Sequence, residues 1–298
     1  MTEAEALSQA GGRQPPTRHV RGEPPGGPWR AEPPAQRDSQ PPETQRDGGG
    51  TTTRRERVRA AAYGEIRAVG RQLLAAEGAA GVTLRAIARE MGMTAPALYR
   101  YYDSRELLLK DLCGTFFDEL SDTIEAACAT VSEDDPVERI MVACRAFRRW
   151  AHEHPAEFAH LFGSPIPGVT DPKTFLPEGH DPANPAHVAG LRFGGIFMRL
   201  FLALWRQRPF PVPADDEIDP ALAEQLDLDL PGAEEVPRGG RLAFLSAWVS
   251  LYGLVTMDVF GHLGWALTDT EPFFEHELAQ FCTKLGIDYT PPARRPQG

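Results

Sequence analysis

Between Thr83 and Arg105 two short amphipathic segments and a glycine follow one another at a spacing that leaves few ways to fold. Leu84, Ile87, Ala88 and Met91 recur at i, i+3, i+4 and i+7, which is one face of a helix, and Thr83 stands where its N-cap belongs. Gly92 closes that helix. A second begins near Ala95, where Pro96 is tolerated because it falls in the first turn, and it turns Leu98 and Tyr102 inward at an i, i+4 step. Counting Leu84 as position one, a small residue stands at five (Ala88), glycine at nine (Gly92), and apolar residues at four, eight, ten and fifteen (Ile87, Met91, Met93 and Leu98). The small residue lets two helices approach, the glycine permits positive φ in a tight turn, and the apolar set joins them. Left facing outward are Thr94, Ala95, Ala97, Arg100 and Tyr101, with Tyr99 at the flank. The spacing predicts a helix-turn-helix.

The flanking sequence supplies the rest of a small helical domain. From Arg54 the apolar residues Ala62, Ile66, Val69 and Leu73 mark a first helix ending at Gly78, and Ser104 caps a fourth starting at Arg105. Further on, four stripes at helical period recur: Val137, Ile140, Cys144, Phe147 and Ala151; Phe193, Ile196, Phe197, Leu200 and Leu204; Leu245, Trp248, Tyr252, Val255, Val259 and Leu263; Phe274, Leu278, Phe281 and Leu285. No strand pattern competes with them. The expectation is an all-α chain: a three-helix helix-turn-helix domain over 51–105, then a helical bundle over 106–288. Proline-rich stretches at 163–185 and 209–238 read as long surface loops, with room for a short helix from Pro220 to Leu226. Residues 1–50 hold nine prolines and eight glycines and almost no large apolar side chains, so they read as a disordered tail, as do residues 289–298.

Net charge is −11, an unpromising figure for a nucleic-acid binder until it is divided along the chain. Residues 51–110 carry eleven Arg or Lys against six Asp or Glu, whereas residues 111–298 carry 14 against 29. Basic charge is therefore concentrated where a phosphate backbone would be met, and the remainder repels it. The cysteines Cys113, Cys128, Cys144 and Cys282 show no metal-ligand spacing and read as core residues in a reducing compartment. His152 and His154 stand on nearly opposite sides of a helix and would not converge on a metal. There is no leader pattern and no run of about 18 apolar residues, so a cytoplasmic protein away from membranes is expected. No nucleophile with a base at useful spacing, no phosphate-cradling glycine loop and no cofactor motif points to an enzyme.

The stretch VTLRAIAREMGMTAPALYRYYDSRELLLK, Val82 to Lys110, resembles the N-terminal DNA-binding domain of the TetR family. The preceding helix, Gly78, Gly81 and the Leu-Tyr-x-Tyr-Tyr run agree with that resemblance. It implies phosphate contacts from Thr83, Tyr99, Tyr101 and Arg105, where Arg105 stands in a place commonly held by lysine and Tyr101 in one commonly held by histidine. It also implies base reading by Thr94, Ala95, Ala97 and Arg100, with the alanines against thymine methyls and Arg100 against guanine. Residues 140–163 and Trp248 to Gly253 resemble the WHG-type C-terminal domain of some members, although Tyr252 replaces its histidine. An effector pocket is expected among Trp150, Phe158, Phe193, Phe197, Trp205, Trp248, Tyr252 and Phe260, with plain core packing as the alternative reading for each. One recognition helix reads few base pairs, so a homodimer on a palindromic operator in double-stranded DNA follows, paired through a helix from Arg241 to Trp265 and a final one from Phe273 to Leu285. The expected function is a repressor released from its operator by a small apolar or amphipathic effector. The alternative is a helical interaction protein whose helix-turn-helix is only structural.

Overall fold

The computed structural model of the chain describes residues 53–163, 183–227, 232–287, 289 and 291. The expected N-terminal tail and most of the loop at 163–185 lie outside the described residues. Among those described, every regular element is helical.

Four helices build the N-terminal part. The first, α1 (Arg54–Gly81), starts with a capping box in which the Thr53 hydroxyl accepts from the Glu56 amide and the Glu56 carboxylate accepts from the Thr53 amide. It breaks at Gly78, whose φ of 69° only glycine adopts freely, so the predicted end is a sharp kink followed by one more turn. Next come α2 (Leu84–Glu90) and α3 (Ala95–Leu98), separated by Gly92 at φ 64°. The long α4 (Arg105–Cys128) is capped by Ser104, whose hydroxyl accepts from the Leu107 amide at 3.2 Å. The core joining them is the predicted set: Ile66, Leu73, Leu84, Ile87, Ala88, Leu98 and Tyr102 are buried, together with Leu108 and Leu112 of α4. Gly70 lets α4 approach, since a Cβ there would stand 3.2 Å from Leu112.

Helix α4 runs on into the second part, where it packs against α5 (Pro136–Glu153) and α7 (Pro185–Gln207). Between these, α6 (Pro155–Phe158) leads into one wide helical turn, Ala159–Gly163. The contact of α4 with the start of α7 is close: a Cβ on Gly114 would lie 3.0 Å from the Pro185 backbone carbon. Arg192 of α7 holds three carboxylates on one face of α4, Asp118, Asp122 and Glu125, at 2.6 to 3.2 Å. The bundle closes with α9 (Arg238–Val259) and α10 (Glu271–Lys284).

Three expectations change here. The stretch at 209–238 holds the short helix for which its sequence left room, α8 (Pro220–Ala223), but it is more than a surface loop, since Ile218, Ala223 and Leu226 form a small apolar cluster against Leu242 and Leu245 of α9. The expected helix from Arg241 to Trp265 starts earlier, at Arg238, and stops at Val259, after which Gly261 at φ 72° turns the chain. Tyr289, placed in the tail by its sequence, is half-buried, donating to the Glu275 carboxylate and lying under the Arg145 guanidinium.

Two helices, α7 and α9, also prove long and apolar enough to cross a membrane by composition, at a mean hydropathy of 1.5 each. They differ in burial. Over half of the apolar window of α7 is buried, as in the central helix of a bundle, but only 17% of that of α9.

Candidate nucleic-acid interface and effector cavity

The outward face of α3 takes its shape from what is held inward. Leu98 is fully buried and Tyr102 nearly so, with the Tyr102 phenol donating to the Asp111 carboxylate of α4. Burial and that carboxylate both raise the Tyr102 phenol, which stays protonated. Tyr63 of α1 meets the rings of Tyr101 and Tyr102 edge-on at 5.4 Å and donates to the Tyr101 carbonyl at 3.2 Å. After Leu98 the helix tightens into turns bonded i to i+3, Arg100 to Ala97 and Tyr101 to Leu98, which carry Tyr99 and Arg100 out to solvent.

The eight residues singled out for DNA fall into four situations. Thr94, Tyr99 and Arg100 are exposed, and Ala95 and Ala97 are half-exposed beside them, so these five form one patch along α3. Thr83 caps α2, its hydroxyl accepting from the Ala86 amide at 3.1 Å, which leaves the hydroxyl proton free to donate. Tyr101 is half-buried against Tyr63. Arg105 is exposed, yet its Nε donates to the Val82 carbonyl at 2.8 Å and one terminal nitrogen to the Ala79 carbonyl at 2.6 Å. It thus ties the glycine-rich end of α1 to the start of α4 through two of its three nitrogens.

Sequence reasoning passed over Arg85, exposed on α2 and without an acidic partner among the described residues, as is Arg100. Its signal was present: it lies one turn from Arg89 on a helix whose other face is buried.

A second set of residues connects the domains. Arg71 of α1 bonds the Glu119 carboxylate of α4 through two nitrogens, at 2.7 and 2.9 Å, and also donates to the buried Glu157 of α6. Its guanidinium lies 5.1 Å from the ring centre of Phe116. Next to Glu157, His160 is 3% exposed, edge-on to Phe116, with neither ring nitrogen hydrogen-bonded among the described residues. Burial, helped by the charge of Arg105, pushes this imidazole down to about 4, so it is neutral. From the other side, the Tyr252 phenol of α9 donates to the Phe162 carbonyl at 2.8 Å, fixing the end of the wide turn. At the far end of α9, Asp258 accepts from Arg148 at 2.7 Å and from Thr270 at 2.6 Å, with His152 at 2.8 Å. Burial alone would raise the Asp258 carboxyl, but these partners hold it below its usual value.

The aromatic residues expected to line a pocket divide. Phe158, Phe193, Phe197, Trp248, Tyr252 and Phe260 meet one another or Phe147 and Phe162 at ring distances of 5.0 to 6.5 Å, as a closed stack between α5, α6, α7 and α9. Trp150 is buried, stacked on His154 at 4.9 Å, and Trp205 packs against Phe210. A cavity of about 360 Å³ opens on the other side of Phe197 and Trp248, between α5, α7, α9 and α10. Those two are the expected residues that reach its wall; Ile140, Phe201, Phe244 and Leu278 complete the apolar part.

A two-helix reading unit with an exposed Tyr-Arg patch, set on a helical bundle with an apolar cavity, defines a DNA-binding transcriptional regulator. Comparison with known proteins supplies the family. Residues 66–112 match the domain described as bacterial regulatory proteins, tetR family, and residues 140–281 the tetracyclin repressor-like C-terminal domain. The HTH-type transcriptional regulators Rv1816 of Mycobacterium tuberculosis and Mb1846 of Mycobacterium bovis are each 32% identical over 196 residues, 66% of this chain and 80% of theirs. The crystal structure of the regulatory protein SCO4313 is similar at a TM-score of 0.58 and 26% identity, covering 78% of this chain and 100% of that one. A Rhodococcus protein of unknown function, 18% identical, shares the fold with a TM-score of 0.54 over 75% of this chain and 94% of that one. The chain belongs to the TetR family of transcriptional regulators.

Proposed function

We propose that this regulator is a homodimeric repressor that binds a palindromic operator and leaves it when a small apolar or amphipathic molecule enters the helical bundle. The observation that carries the reading is the patch along α3, where Tyr99 and Arg100 stand out while Leu98 and Tyr102 are held in. In the proposed complex Thr94, Ala95, Ala97 and Arg100 face base edges, and Thr83, Tyr99, Tyr101 and Arg105 take phosphates, with Arg85 beside them. Two copies place their α3 helices in successive major grooves, about 34–36 Å apart. Such a protein works in the cytoplasm, with DNA rather than a membrane as its partner. It has no catalytic step to perform.

Coupling runs through α6. The bundle touches the reading domain through Glu157, Arg71 and Glu119, so an effector that moves α6 or its wide turn shifts α1, and with it the separation of the two α3 helices. Effector and DNA then weaken each other by the same factor. Fluorescence anisotropy with labelled DNA from upstream of the protein's own gene tests this. Saturable binding that weakens with salt and is lost in Tyr99→Ala is the expected result; equal binding by Tyr99→Ala and Arg105→Ala would remove the proposed face.

A further inference from the structure

A second cavity opens where α4 turns into α5. It has a volume of about 510 Å³ and lies between α4, the turn after it, the start of α5 and the middle of α7. It shares no wall residue with the cavity behind Phe197 and Trp248: on α7 the two are lined by neighbours in sequence, Ile196 and Leu200 here, Phe197 and Phe201 there. Its floor is apolar. Ile196, Leu200 and Ala203 recur at i, i+4 and i+7 along α7, and Val131 of the turn completes the surface. The turn is pinned to α7 by Gln207, which donates to the Asp134 carbonyl at 2.9 Å, and α4 is tied to α5 by the Cys128 thiol, which donates to the Arg139 carbonyl at 3.6 Å.

The charges on the wall are unevenly satisfied. Glu125 is taken up twice, by Arg192 at 2.7 Å and by Arg199 at 3.4 Å. Arg139 is held far more loosely. Its acidic neighbour Glu133 stands at 4.0 Å, too far for a hydrogen bond, and that side chain is 93% exposed. The Arg139 side chain is three-quarters buried, and its buried Nε donates to nothing among the described residues. A buried donor without an acceptor destabilises the fold. A bound carboxylate removes that penalty, because Nε and the terminal nitrogen away from Glu133 form one side of the planar fork, which a carboxylate meets through both oxygens.

We propose that this cavity binds a small monocarboxylic acid with an apolar tail. The carboxylate meets the Arg139 fork, the tail lies on Ile196, Leu200 and Val131, and Arg199, 58% exposed, supplies a second cation at the mouth. Free phosphate fits less well, since a second negative charge would face Glu125 and Glu133 on the same wall. An amine would face the guanidinium of Arg139. The ligand is therefore distinguished by its charge from the one expected in the apolar cavity, and the site depends neither on an operator nor on the pairing of two copies.

The test uses full-length protein and octanoate near neutral pH, where a carboxylate is ionised, followed by isothermal titration calorimetry. Octanoate should bind saturably, one per chain, and raise the melting temperature. Octanamide, of the same length without the charge, should bind about tenfold more weakly or worse, and inorganic phosphate should not compete. Arg139→Gln should weaken octanoate by about tenfold or more, and Arg139→Lys, which keeps the charge but loses the fork, should recover only part of it. Arg199→Gln should weaken it less. Ala203→Phe fills the cavity from α7 without touching a charge and should abolish binding, whereas Ala247→Phe, which fills the other cavity, should leave it unchanged. Circular dichroism checks that each variant folds, and if Arg139→Gln does not, Ala203→Phe and Arg199→Gln decide the matter. Octanamide binding as tightly as octanoate, octanoate binding unaffected by Arg139→Gln or Ala203→Phe, or no saturable binding to wild type up to about 10 mM overturns the inference. Loss of binding in Ala247→Phe alone moves the ligand to the other cavity and overturns it too.

Discussion

Two arginines at opposite ends of the α3–α4 corner separate reading from holding. Arg100 is exposed and touches no acidic group among the described residues, so replacing it changes little inside the protein. Arg100→Ala should leave thermal stability within about 0.5 kcal/mol and cost about 1–3 kcal/mol of operator affinity, confined to the base it reads. Arg105 is bonded to two carbonyls, those of Val82 and Ala79. Arg105→Ala should lower both quantities, with about 1 kcal/mol of stability lost, seen as a melting point lower by about 2–4 °C. Lysine has no planar fork to reach both carbonyls, so Arg105→Lys should regain DNA affinity better than stability. His160 gives a pH signature. It is held neutral at about 4 in the fold, against the usual 6.5, so the unfolded chain binds the extra proton first and stability rises with pH across that window. The contribution is intact above about pH 6.5 and falls away toward pH 4, by roughly 3 kcal/mol. Urea unfolding at pH 7 and pH 4.5 should show most of that gap in wild type and a smaller one in His160→Leu.

At the level of helices, close approaches and long-range ion pairs determine what moves with what. Gly114→Ala adds a carbon 3.0 Å from the Pro185 backbone, which cannot swing aside as a side chain would. The substitution favours helix by itself, yet here it should destabilise by about 1–3 kcal/mol, measured by urea unfolding, because α7 must be pushed away from α4. Arg71 and Glu157 form the link between α1 and α6, and a double-mutant cycle on Arg71→Ala and Glu157→Ala should give a coupling of about 0.5–3 kcal/mol in stability. These elements also mark how far sequence alone could go. The helices of the reading domain were legible because each cap, glycine and apolar step is local: Thr83, Gly92 and Ser104 act on neighbours three or four residues away. The stripes of α5, α7 and α10 were legible for the same reason. Arg105 was read as a free phosphate ligand because the carbonyls it meets lie more than twenty residues back. Which of the expected aromatics line the cavity, Phe197 and Trp248, was not legible, because a Phe inside a ring stack and one on a cavity wall have the same periodicity. Only the packing of α9 and α10 against α5 and α7 separates Phe193, in the stack, from Phe201, on the wall.

For the whole molecule the governing quantity is where charge sits. The chain is acidic overall, but its cationic groups are concentrated in the reading domain, and Arg192 and Arg145 in the bundle are taken up by Asp118, Asp122 and Glu125, and by Glu138 and Glu275. DNA therefore meets an attractive face and a repelling body, which orients the protein before any base is read. Binding strength should fall with salt in proportion to the phosphates neutralised, with a log–log slope of about −0.9 for each. With Arg85 and Arg105 acting in each of two copies, the wild-type slope should be near −4 or steeper. Arg85→Ala removes one phosphate partner per copy and should reduce that slope by about 2, weakening all sequences alike. Arg100→Ala should instead leave the slope nearly unchanged while narrowing the gap between operator and random DNA. Anisotropy titrations of both variants between low and physiological salt distinguish the two roles. If Arg85→Ala kept the wild-type slope, α2 would lie away from the phosphate backbone, and the docking of the reading unit would have to turn about α3.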